Sequence, residues 1–158
     1  MLCSSTPATM TVRNVVTFTS SQFNTSEPKP YFINPGCFGD DVAQWLIGQL
    51  KGQGVEADEE PGQEDWGWYL TYRANGQTHR FLLAFRPADS TGTGNWIGWV
   101  ERAGAVRALL GSSKTSIDPL AAEAVHQVLS RSPLIEHVQW HLQRDFDHGN
   151  EEAGQPSP

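Results

Sequence analysis

Two spacings of apolar side chains succeed one another along this chain, strict alternation and the three-to-four-residue helical step, and each change of spacing marks a new element. Residues 14–23 form a β-branched run with Val16, Phe18 and Phe23 apolar, followed by a proline-rich stretch around Pro28, Pro30 and Pro35, which predicts a strand and then a long loop. Over residues 40–53 the apolar positions Val42, Trp45, Leu46, Ile47 and Leu50 take helical spacing. Asp40 and Asp41 favour the helix start and Gly52 or Gly54 its end. Val55 and Ala57 then alternate with Glu56 and Asp58, which predicts a short strand broken at Pro61-Gly62.

Asn75-Gly76 lies between two alternating runs and is the preferred sequence for a two-residue hairpin turn, where both central residues need positive φ. Counting outward from Ala74 opposite Gln77 pairs Tyr72 with His79, Leu70 with Phe81, Trp68 with Leu83 and Trp66 with Phe85 on the face assigned to the core. The other face pairs Arg73 with Thr78, Thr71 with Arg80, Tyr69 with Leu82 and Gly67 with Ala84, a mixed surface on which Arg86 continues the alternation.

After a Gly/Ser/Thr-rich connection from Asp89 to Gly94, residues 95–102 read as a strand whose two faces are both apolar, Trp96 and Val100 on one and Ile97 and Trp99 on the other, so that alternation does not choose the buried side. Residues 105–110 are too few to classify. Asp118-Pro119 is a helix start, a capping side chain followed by proline at the first helical position, and the helix to about Ser130 carries Leu120, Ala124, Val125, Val128 and Leu129 along one stripe. Leu134, Val138, Trp140 and Leu142 alternate with polar residues as a last strand. The order β-α-β-β-β-β-α-β predicts an α+β two-layer sandwich, a mainly antiparallel sheet with two helices on one face. It resembles ferredoxin-like and related α/β-plait arrangements in element order alone, a likeness that carries no function. Ser, Thr and Pro dominate the start and Gly, Glu, Pro and Ser the end, so residues 1–12 and 148–158 are expected to be disordered tails around one domain over residues 13–147.

Composition narrows the function classes. A chain of 158 residues with 38% hydrophobic content is enough for one core without disulfides or metal. A net charge of −7 repels nucleic acid and anionic membranes, so neither is an expected partner. No apolar run approaches a membrane span, and residues 1–13 lack the basic start and apolar stretch of a signal peptide, so a cytoplasmic protein of bacterial style is expected. Cys3 and Cys37 make no disulfide framework.

Candidate chemistry is sparse. Trp66-Gly67-Trp68 with Trp96 and Trp99 suggests an aromatic cage, but the hairpin register turns Trp66 and Trp68 into the core. The acidic residues Glu56, Asp58, Glu59, Glu60, Glu64 and Asp65 lack the spacing of a calcium loop and read as a solvated segment able to meet a basic partner. His137 and His141, four apart in a strand, stand too far from one another to share a metal, and His79 opposite Tyr72 reads as a hydrogen-bonded core-edge residue. Cys37 precedes a helix N-terminus, which lowers a thiol pKa, while Asp40 and Asp41 oppose that effect. Residues 111–115, Gly-Ser-Ser-Lys-Thr, lack the glycine before the lysine of a phosphate loop.

What stands out is the non-core face of the hairpin. Three of the eight arginines, Arg73, Arg80 and Arg86, share it with Tyr69 and Leu82, a fork of donors beside a stacking ring, and the opposed small residues Gly67 and Ala84 predict either a shallow groove nearby or the close packing of a second subunit. The expected function is a non-enzymatic binding module that uses Tyr69, Arg73, Arg80, Leu82 and Arg86 to hold a partner protein, a second copy of itself or a small anionic ligand, without cofactor or metal. The alternative is a small hydrolase using carboxylates or Cys37 with a histidine.

Overall fold

The computed structural model of the chain describes residues 12–88, 94–103 and 117–158. Cys3 with most of the expected N-terminal tail, the start of the glycine-rich connection at 89–93, and the segments 105–110 and 111–115 lie outside the described residues.

The elements follow the order β1 (Val15–Thr19), α1 (Asp40–Gly52), β2 (Gly62–Glu64), β3 (Gly67–Ala74), β4 (Gln77–Arg86), β5 (Asn95–Arg102), α2 (Pro119–Arg131), β6 (Glu136–His141) and α3 (Gln143–Asp147), with a 3-10 turn at Glu151–Ala153. The six strands form one sheet in the order β2-β3-β4-β5-β1-β6. Every neighbouring pair is antiparallel. Each long helix therefore joins two strands that run in the same direction with others between them. That requires a crossover over the sheet face, and one layer of helices is the result.

The hairpin forms as its turn dictates. Asn75 and Gly76 both hold positive φ, 51° and 73°, and the pairing runs from Ala74 opposite Gln77 to Trp68 opposite Leu83. Trp68, Leu70, Tyr72, Phe81 and Leu83 meet Val42, Leu46, Ile47 and Leu50 of α1 and Ala121, Val125 and Leu129 of α2 in one core. The neighbouring β5 takes its phase from this face: Phe81 stands opposite Val100, Leu83 opposite Gly98 and Phe85 opposite Trp96, so Trp96 and Val100 are fully buried. Ile97 and Trp99 consequently belong to the outer face. The indole of Trp96 rests on Phe85, ring centroids 4.9 Å apart.

Several local expectations are corrected. The edge strand after α1 is Gly62–Glu64, not 55–58; Ala57 makes only an isolated bridge to Tyr72, with Asp58 N–H donating to Thr71 O and Arg73 N–H to Glu56 O. Pro61 has no N–H for a ladder, so the edge breaks and resumes beyond it. Because β2 then turns back into β3 through Asp65 and Trp66, Trp66 does not continue the hairpin ladder opposite Phe85. It is 41% exposed, whereas Trp68 is buried. Leu120, assigned to the apolar stripe of α2, is exposed in the first helical turn. The expected groove at Gly67 is absent, since Gly67 pairs with Glu64 and a Cβ there would lie 2.4 Å from the Leu83 carbonyl oxygen. Residues 148–158 do not trail away as their composition suggests. Trp140 N–H donates to Gln155 O at 2.6 Å and Gln155 N–H to Trp140 O at 2.8 Å, which pairs the otherwise open edge of β6.

Candidate functional site

The helices cover one face of the sheet, and the alternation of β3 and β4 sends Tyr69, Thr71, Arg73, Thr78, Arg80, Leu82 and Arg86 to the other. Tyr69 and Leu82 are half-buried opposite one another, and Leu82 stands opposite Trp99 of β5. The Arg80 guanidinium carbon lies 5.0 Å from the Tyr69 ring centroid, a cation–π stack in which Arg80 is exposed. Across β2 the ring has room because the residue opposite is Gly62, where a Cβ would lie 2.2 Å from the phenol ring. Tyr69, Arg80 and Leu82 thus form one continuous surface.

The other two arginines are engaged differently. Arg73 lies at the turn end, where its Nη2 donates to Gly76 O at 2.8 Å and its Nε approaches Glu56 at 3.4 Å. Arg86 lies on the same face, but its Nε donates to Asn95 Oδ1 at 2.8 Å and its two terminal nitrogens donate to Glu151 at 2.7 and 3.2 Å. That two-pronged contact holds the Glu151 carboxyl below its ordinary pKa, and the 3-10 turn lies over Arg86 as a result. Phe146 of α3 extends the cover, with ring centroids 6.4 Å from Trp99 and 5.6 Å from His141. The outer face is therefore covered by the chain's own C-terminal segment on the β5-β1-β6 side, while the Tyr69, Arg80 and Leu82 surface lies on the β3-β4 side.

Beside this cover is a polar depression of about 240 Å³, lined by Thr17, Thr19, Asn95, His137, His141 and Glu151 among others. Two hydroxyl–imidazole pairs lie along it, Thr17 Oγ1 with His141 Nε2 at 2.9 Å and Thr19 Oγ1 with His137 Nδ1 at 2.8 Å. His137 adopts φ 57°, near the shift in register between β1 and β6 that lies between Thr17 and Thr19. Burial lowers the pKa of His141, so its imidazole is neutral at neutral pH, and its Nδ1 has no partner among the described residues. The spacing of His137 and His141 in sequence speaks only to a shared metal, which it argues against. Their shared depression depends on the β1–β6 register, which no local pattern announces. Among the described residues there is no group of three or more His, Cys, Asp or Glu arranged to hold a metal ion.

Cys37 is poorly suited to the hydrolase reading. Its thiol donates to Asp65 O at 3.3 Å, and burial, followed by the negative charge of Asp65, raises its pKa, the reverse of an activated nucleophile. His79 is fully buried and occupied: its Nδ1 donates to Gln77 O at 3.1 Å and its Nε2 accepts from Asp118 N–H at 3.2 Å. The acidic segment adjoins Arg73, with Glu56, Asp58 and Glu59 along the broken β2 edge and Lys51 bound to Glu59 at 2.7 Å.

No protein-family model, no curated protein and no solved structure matches this chain.

Proposed function

We propose that this chain is a non-enzymatic protein-binding module that docks a partner protein on the outer face of β3 and β4 through Tyr69, Arg80 and Leu82, with Arg73 at the margin. The observation that carries the reading is the Arg80 guanidinium stacked on Tyr69 in an exposed position beside Leu82. Tyrosine and arginine are the side chains that most often dominate interface energetics, and a stacked pair held on a rigid sheet loses little freedom on binding. A protein partner is favoured over a small anion, because Arg73 and Arg86 face Glu56 and Glu151 and Arg80 stands opposite Glu101 of β5, so the three arginines do not converge on one anion. A partner of different sequence is favoured over a second copy, because two chains of charge −7 repel one another. The module would work in the cytoplasm; no helix among the described residues is long and apolar enough to cross a membrane.

The test is a photo-crosslinking amino acid at Leu82, introduced into the full chain in its native host, beside a control crosslinker at Leu120 on α2. The expected result is a discrete heavier adduct at position 82, absent at 120 and lost in the Tyr69→Ala/Arg80→Ala variant. An adduct of twice the chain mass with matching self-association in sedimentation would replace the partner with a second copy. An adduct unaffected by the double substitution would overturn this surface.

A further inference from the structure

The proline-rich loop between β1 and α1 and the turn beside it leave large apolar side chains exposed. Four large hydrophobic residues are exposed among the described residues, and three of them, Tyr31 at 58%, Ile33 at 62% and Trp66 at 41%, belong to this loop and the adjoining β2–β3 turn. The loop is anchored on its inner side, where Phe32 is buried with its ring centroid 5.4 Å from that of Trp68. It is also stitched to the turn by polar groups. The Gln63 amide donates to Tyr31 O at 3.0 Å and accepts from Ile33 N–H at 2.5 Å, while Asn34 Nδ2 donates to Asp65 O at 2.9 Å. Trp68 Nε1 donates to Cys37 O at 2.9 Å and closes the far end. These bonds fix Tyr31 and Ile33 outward on either side of the buried Phe32 and bring the Trp66 turn alongside them.

Burying an exposed aliphatic or aromatic side chain is favourable, so a loop that is pinned with such residues outward has the ordering cost of binding already met. Contiguous exposed apolar residues with a polar rim mark protein-contact surfaces. Here the rim is acidic. Glu64 and Asp65 are exposed in the turn, and the Tyr31 hydroxyl donates to Asp40, a bond that raises the phenol pKa to about 12. Lys29 is the one base in the loop. We propose that Tyr31, Ile33 and Trp66 form a second docking surface, for a protein segment in which apolar side chains stand beside lysines or arginines. Its apolar groups cover the three exposed side chains, and its cations meet Glu64 and Asp65. This surface is independent of the one on the outer sheet face.

The experiment uses the full chain and two labelled synthetic peptides, an amphipathic leucine–lysine peptide and its leucine–glutamate counterpart, with binding followed by fluorescence anisotropy. The expected result is saturable binding of the lysine peptide alone, weakened about tenfold or more in Ile33→Ser/Trp66→Ser and unchanged in Tyr69→Ala/Arg80→Ala. Salt should weaken it too, because the rim charges are exposed. Both substituted side chains are exposed, and an unchanged unfolding midpoint of the variant confirms that the loss is one of contact. Absence of saturable binding, equal binding of the glutamate peptide, or undiminished binding by Ile33→Ser/Trp66→Ser overturns the proposal. Self-association of the native chain that is abolished in that variant overturns it as well, by making the occupant a second copy.

Discussion

At Gly98 the core face of β5 carries no side chain because the Phe81 ring fills the space: a Cβ there would lie 2.1 Å from Phe81 Cζ. Phe81 is itself fully buried, so Gly98→Ala forces the ring from its place or bends the strand, and a loss of about 1–3 kcal/mol is expected. Gly48 is the opposite case. It lies in the middle of α1 with nothing within 4 Å of where a Cβ would stand, so Gly48→Ala removes unfolded-state freedom at no steric cost and should stabilise by about 0.4–1 kcal/mol. Urea midpoints of the two variants check both, and a Gly98→Ala midpoint equal to that of the native chain would show that Phe81 does not need the gap. The same residue explains why alternation leaves the phase of β5 open. Trp96 and Val100 face Ile97 and Trp99 with similar apolar weight, and what separates the faces is the fit of a glycine to the Phe81 ring across the ladder, a property of two strands together.

Among the elements, the start of α2 is tied to the β3–β4 turn through one carboxylate. Asp118 accepts from Leu120 N–H at 2.9 Å as a helix cap and from Asn75 Nδ2 at 2.8 Å, and these two bonds hold its carboxyl below the ordinary pKa. Asp118→Ala should therefore cost about 0.5–2 kcal/mol for the cap, while Asn75→Gly keeps the positive φ and removes only the tie. A double-mutant cycle of Asn75→Gly and Asp118→Ala, read by urea unfolding, is expected to be non-additive by about 0.5 kcal/mol or more; strict additivity would mean that the tie contributes nothing. The turn and the cap were both legible in the sequence, since Asn-Gly and Asp-Pro each state a backbone geometry in two residues, and the hairpin register that places Tyr69, Arg80 and Leu82 on one surface follows from the first. The bond between turn and cap was not, for it depends on where a crossover helix lands. Trp66, the edge at Gly62–Glu64 and the pairing of Gln155 with Trp140 escaped for a related reason: each is decided by how the chain closes an edge, and alternation within a segment carries no such information. The alternation that puts Arg86 on the outer face is legible in the sequence, yet its engagement by Glu151 depends on a segment whose composition reads as solvent-exposed tail.

Taken over the whole molecule, these buried polar groups set how stability responds to acid. His79 holds a neutral imidazole, which accepts from Asp118 N–H on one nitrogen and donates to Gln77 on the other, and burial, the largest cause, lowers its pKa below the ordinary 6.5. His141 is lowered by burial too, with Glu151 and Arg86 acting on it in opposite directions. In the unfolded chain both imidazoles take a proton near 6.5, whereas the folded chain resists protonation until a lower pH. Below 6.5 the unfolded state therefore binds more protons, so the stability that is fully present above 6.5 is lost as pH falls from there through the folded values. Urea midpoints of the native chain should decline as pH falls below about 6.5, and the decline should flatten in His79→Gln/His141→Gln even if that variant is less stable throughout. A second decline belongs to Glu151 and Asp118, whose lowered pKa values contribute stability above their ordinary 4.5 and 3.8 that disappears as pH falls below them; it should survive in the histidine variant. The two histidines can be told apart by position. His141 lies beneath the C-terminal segment, with a Cβ at Gly154 falling 3.1 Å from its Nδ1, so protonating it should loosen that cover before the hairpin. Hydrogen exchange at the Trp140 amide, which donates to Gln155, should then accelerate on acidification beyond the intrinsic change in exchange rate, while the Phe81 amide keeps its protection. Equal loss at both amides would mean that acid opens the molecule as one unit.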